Sequence, residues 1–155
     1  MPNGEWKRKL RRLGELDRAD RWLVVRAAWQ LLVARIVLAV VPFRRLAARL
    51  SESTDRAAET VEPAIPERVG RAVTVAANHV PWRADCFPRT IAARALLKAY
   101  GYASTIHIGV DRQGGEGLKG HAWLTCGDVV VTGGAELDRY TEIHGLGGPG
   151  PGAGP

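Results

Sequence analysis

At 155 residues, 46 % hydrophobic and 25 % charged, the chain is sized for one folded domain with a helical extension, and its composition is not that of a disordered protein. Its two cysteines, Cys86 and Cys126, are too few for a disulfide framework and lack the CxxC or Cys/His spacing of a zinc site. A reducing, cytoplasmic setting with no metal and no cofactor is therefore the expectation. Most of the +6 net charge lies in residues 1–50, where twelve Lys/Arg face four Asp/Glu, a net of +8. This points to an acidic partner such as a peptide, a protein surface or anionic lipid. With no zinc-finger or RNA-binding motif, nucleic acid is not among the expected partners.

Residues 1–12 are polar and basic and lack the apolar core of a signal peptide, so secretion is not indicated. Residues 13–50 have helical periodicity. The apolar run 22–41 is nearly long enough to cross a bilayer, but Arg26 and Arg35 interrupt it at positions costly in hydrocarbon. Two readings remain: a helix buried against the core or a partner, and one making peripheral membrane contact. Pro42 ends or kinks this helix, and 43–50 reads as a short basic amphipathic continuation. Residues 51–66, with Pro63 and Pro66, read as a linker, and 67–78 as a short helix.

Residues 81–86, a loop-forming run, end in Cys86, where a helix begins. Pro88 suits a first helical turn, Ile91, Ala92, Ala95, Leu96 and Ala99 have helical spacing, and Gly101 stops the helix after Tyr100. The pattern then alternates: 103–110, 120–125 and 129–132 are predicted strands, with a polar connection at 111–117 and a hairpin turn at Gly127-Asp128. Residues 135–143 are a weaker segment with Tyr140 and Ile143 as anchors, and 145–155 read as a disordered Gly/Pro tail. The expected organisation is a helical segment and linker at 1–66, a core at 67–144 and the tail at 145–155.

A cysteine at a helix start has the dipole and orphan N–H groups that favour a thiolate. A histidine near the start of a later antiparallel strand supplies the base that such a thiol needs. Cys86 and His121 stand in this relation, thirty-five residues apart, a helix and one strand between them. The expected fold class is α+β, with a papain-like core: the cysteine helix packed on a small antiparallel sheet, preceded by the helical segment.

The runs Pro81-Trp82-Arg83-Ala84-Asp85-Cys86-Phe87-Pro88, Leu96-Leu97, Gly101-Tyr102, Ile108-Gly109-Val110 and Gly120-His121-Ala122-Trp123-Leu124 resemble a known family. It is the transglutaminase-like core of the lasso-peptide leader peptidases, the B proteins of lasso peptide biosynthesis, and the resemblance covers about residues 14–143. It implies a cytoplasmic cysteine protease that removes the leader from a ribosomally made precursor, before a separate ATP-dependent cyclase closes the macrolactam. The chain resembles the split form, whose leader-recognition domain is a separate small protein. By this resemblance Cys86 is the nucleophile and His121 the base.

The family's third position, commonly acidic or Asn, falls where Thr132-Gly133-Gly134 stand. With the turn at Gly127-Asp128, His121 is expected opposite Gly134, Asp128 about 20 Å away, and Thr132 and Glu136 on the histidine's face. Thr132, or a backbone carbonyl there, is then the orienting group. Trp82, Asp85 and Phe87 are assigned to the oxyanion hole and substrate cleft, with packing the plainer reading of Trp82. His79 and His107 are read as structural, Trp123 as core filling beneath the sheet, and Cys126 as a spare thiol. Two alternatives stand beside the peptidase: an acyl or amine transferase on the same fold, and a non-catalytic adaptor that binds a membrane or partner. The 1–50 segment is expected to pack on the core and dock the leader or the small leader-recognition protein.

Overall fold

The computed structural model describes residues 17–52, 62–111, 120–134, 137 and 140–146. Four helices come first, α1 (Arg18–Val40), α2 (Phe43–Glu52), α3 (Ala64–His79) and α4 (Cys86–Ala99). Four strands follow, β1 (Thr105–Asp111), β2 (Gly120–Cys126), β3 (Val129–Thr132) and β4 (Tyr140–Leu146). The strands form one antiparallel sheet in the order β3-β2-β1-β4. The α+β architecture expected from the periodicity switch is therefore what the chain adopts.

Asp17 caps α1 by accepting from the Arg18 N–H, and the helix ends one residue before Val41-Pro42. Pro63 and Pro66 begin α3 instead of a loop. A proline in the first turn gives up an N–H that has no helical acceptor, and Pro66 is fully buried. The linker expected at 51–66 is correspondingly shorter: α2 runs to Glu52, α3 starts at Ala64, and 53–61 lie outside the described residues.

α3 and α4 cover one face of the sheet, and α1 packs on these two helices. Leu23, Ala27 and Leu31 of α1 meet Val69, Val73 and Ala76 of α3, and Ala92, Ala93, Leu96 and Leu97 of α4. Ile106, Leu124, Cys126 and Val131 of the sheet complete this core. Arg68 donates to Asp20 through Nε and Nη2 at 3.0 and 2.7 Å, tying α3 to α1, and the carboxylate raises the guanidinium pKa. The N-terminal helix thus packs on the core, as expected.

Two sequence expectations need correction here. Trp123 is buried, but not beneath the helices. It shares a face with Gly109 and His107, away from Ile106 and Leu124, because alternate strand residues point to opposite faces. The tail does not begin at Gly145: Gly145 and Leu146 pair with His107 and Ile106, giving β1 a partner on its second edge. The segments 1–12 and 112–117, and Glu136, lie outside the described residues.

Candidate active site

The loop ahead of α4 is held by its own helix: Arg89 Nε donates to the Ala84 carbonyl at 2.7 Å, and the Arg89 N–H to the Asp85 carbonyl at 3.3 Å. Asp85 occupies the N-cap position in extended conformation, yet its side chain makes no capping hydrogen bond and points toward Arg83, 3.8 Å away. Cys86, half-buried, is the first helical residue. Phe87 packs against the edge of the core, and its carbonyl accepts from the buried Thr90 hydroxyl at 2.7 Å. Trp82 Nε1 and His79 Nε2 are both buried without a partner among the described residues, while His79 Nδ1 donates to the Val75 carbonyl at 2.7 Å.

α4 reverses at Tyr100-Gly101, where the Tyr102 N–H returns to the Leu97 carbonyl, and β1 runs back along the helix. The Cys126 thiol donates to the Ala103 carbonyl at 3.2 Å, which marks the end of β2 near the helix C-terminus. The other end of β2, with His121 opposite Gly109, is therefore at the end of the sheet nearer the start of α4. His121 lies on the Trp123 face of β2, opposite the Leu124 face that packs on the helices, and no hydrogen bond joins it to Cys86 in this structure.

His121 Nε2 lies 2.8 Å from the Gly133 carbonyl oxygen. A carbonyl only accepts, so Nε2 carries a proton, and in the neutral imidazole the lone pair is then on Nδ1. The imidazole also stacks on Tyr140 (centroids 4.6 Å apart) and on Trp123 (6.1 Å), and Trp123 in turn stacks on His107 (5.3 Å). His107 Nε2 is 2.8 Å from the Thr125 hydroxyl. Tyr140 belongs to β4, two strands from His121, and the rings meet across β1 at Gly109. A Cβ there would stand 3.0 Å from the Trp123 ring and 2.9 Å from the Thr141 carbonyl oxygen, so the Ile-Gly-Val run needs its glycine.

Thr132 is not the partner of His121. The β2–β3 ladder shifts by one residue between Leu124 and Thr125, so Thr132 pairs with Leu124 and lies on that residue's face. Its hydroxyl is buried and unpartnered among the described residues. The acceptor is the next residue's carbonyl, made possible by Gly133 at φ +75°, where a Cβ would stand 2.6 Å from the Ala122 carbonyl oxygen. Asp128 sits in the turn at the opposite end of β2. Tyr140 had no signal in the local sequence tying it to His121, because the two come together only through the strand order.

Cys126 is fully buried, and burial pushes its thiol pKa up. A cavity of about 490 Å³ opens between α1, α3 and β3, lined by Val24, Arg68, Arg71, Thr74, Val75 and Val130 among others, and neither Cys86 nor His121 borders it. Among the described residues no cluster of three His, Cys, Asp or Glu could hold a metal.

The sequence profile of the Transglutaminase-like superfamily matches residues 28–145. The chain belongs to that superfamily. The match runs from Ala28, midway along α1, through nearly all of β4, so the second half of the N-terminal helix is part of the family domain. Members are typically cysteine-dependent enzymes, and the fold is compatible with cysteine peptidase or transferase activity. No curated protein and no solved structure matches the chain.

Proposed function

We propose that the protein is a cysteine peptidase that removes the leader from a ribosomally made lasso precursor peptide, ahead of an ATP-dependent macrolactam cyclase. It acts in the cytoplasm with a separate small leader-recognition protein. The observation that carries the reading is the hydrogen bond from His121 Nε2–H to the Gly133 carbonyl, which leaves Nδ1 as the basic nitrogen of the neutral ring. Support also comes from the family fold and from the motif runs around Cys86, Gly109 and His121.

Nδ1 takes the Cys86 thiol proton as sulfur adds to the scissile carbonyl carbon. The tetrahedral oxyanion is held by the Cys86 N–H, at the positive end of the α4 dipole and uncapped by Asp85, and by the unpartnered Trp82 indole N–H. The imidazolium then protonates the leaving amine as the C–N bond breaks. Water attacks the thioester, gives its proton to Nδ1, and releases the leader carboxylate and free enzyme. An amine in place of that water would give the transferase outcome on the same acyl-enzyme.

The test is cleavage of a leader–core precursor by the full chain with the small recognition protein, followed by mass spectrometry with and without hydroxylamine. Leader release by wild type, its loss in Cys86→Ala, and a free carboxylate as the main product are expected. Undiminished cleavage by Cys86→Ala refutes the reading, and a predominant amide product moves it to the transferase.

A further inference from the structure

The α1 helix is apolar on two opposite sides. Leu23, Ala27, Leu31 and Ala34 are buried against the core, whereas Trp22, Val25, Trp29, Ile36 and Val40 are 52–71 % exposed. At about 100° per residue the exposed set falls within an arc of about 60°, directly opposite the buried set. Among the described residues nothing covers it. We propose that this outward face of α1 docks the protein on an anionic lipid surface.

Charge complementarity and shape choose the occupant. Exposed Arg18, Arg21 and Arg35 lie at the start and along one flank of the stripe. Arg26, which reaches over the Tyr100 ring at 5.7 Å, lies along the other flank. Beyond the Pro42 kink, Arg44 and Arg45 are exposed as well. Of the acids on this helix, Asp20 is engaged by Arg68 on the core side and Asp17 caps the first turn. A second copy would bring two arginine-rich arrays of the same sign together, which like charge disfavours. The face is a convex helix surface, suited to a flat bilayer, whereas the groove that could take a peptide, the 490 Å³ cavity, is elsewhere. Trp22 and Trp29 are the side chain that membrane interfaces favour, and flanking arginines reach lipid phosphates.

By length and composition alone α1 could span a bilayer. Its inner face is occupied by α3 and α4, however, and Arg26 and Arg35 interrupt its apolar run, so α1 lies along the surface. This inference does not depend on the peptidase reading, because its assay measures binding and not cleavage.

The test is co-sedimentation of the full chain with vesicles of about 30 % phosphatidylglycerol in phosphatidylcholine and with phosphatidylcholine alone, each at low and high salt. Binding to the anionic vesicles is expected, at least about tenfold weaker on the neutral ones and at high salt. The double variant Trp22→Ser/Trp29→Ser should lower partitioning by about a hundredfold with an unchanged thermal melt. Arg44→Glu/Arg45→Glu, which leaves the apolar stripe intact, should lower it about tenfold. Three results overturn the proposal: no vesicle binding, binding indifferent to the tryptophan pair, or a stripe taken by protein instead. The last would appear as a dimer in analytical ultracentrifugation, or as capture of the leader-recognition protein, that Trp22→Ser/Trp29→Ser abolishes in the absence of vesicle binding.

Discussion

Thr132→Val separates the two accounts of how His121 is oriented. Thr132 is 7 % exposed, faces Leu124, and its hydroxyl is buried with no partner among the described residues. Valine has nearly the same shape and removes the hydroxyl, so the substitution deletes an unpaired polar group and leaves the packing in place. Burying a hydroxyl without a partner costs about 1–3 kcal/mol, and the variant should be more stable by up to that amount. For a domain of this size that corresponds to a rise in Tm of roughly 3–10 °C. Because the His121 acceptor is the Gly133 carbonyl, kcat/KM for leader removal should stay within about twofold of wild type. The assays are urea and thermal denaturation alongside precursor cleavage. A stable Thr132→Val with cleavage reduced more than about a hundredfold would make the hydroxyl a member of the catalytic set and refute the carbonyl reading. A loss of stability would show that the hydroxyl has a partner. Gly133→Ala is the counterpart: its Cβ would meet the Ala122 carbonyl at φ +75°, displacing the acceptor and lowering both stability and turnover.

His121→Ala should reduce kcat by several orders of magnitude, while His79→Ala and His107→Ala should cost little turnover; equal damage from His79→Ala, whose Nε2 is buried and unpartnered, would make His79 the base. Iodoacetamide at neutral pH should label Cys86 well before Cys126, which is fully buried with its proton held toward the Ala103 carbonyl; equal labelling rates would contradict Cys86 as the accessible thiol. Burial raises the Cys126 thiol above its ordinary 9.0, so its stabilising contribution is whole below that value and is lost as pH rises through the folded value. Cys126→Ser should accordingly flatten the alkaline decline in a pH series of melts, and an unchanged decline would assign it to other groups.

Much of the fold was legible in the chain because local physics wrote it there. Apolar spacing marked α1, α3 and α4, Pro42 marked the break after α1, and alternation with a Gly127-Asp128 turn marked the hairpin of β2 and β3. Cys86 at a helix start and His121 near a strand start were likewise visible as types at positions. The tertiary structure decided what depends on register and on neighbours distant in sequence. One bulge between Leu124 and Thr125 moved the pairing by a residue, put Thr132 on the Leu124 face and offered His121 the Gly133 carbonyl. A period of two makes such a slip invisible to pattern reading and decisive for side chains. Strand order carried Tyr140 across Gly109 to the His121 ring and put Trp123 between two histidines instead of in the core. In α1 the sequence shows apolar residues all round; only packing against α3 and α4 reveals which half is core and which half is left exposed.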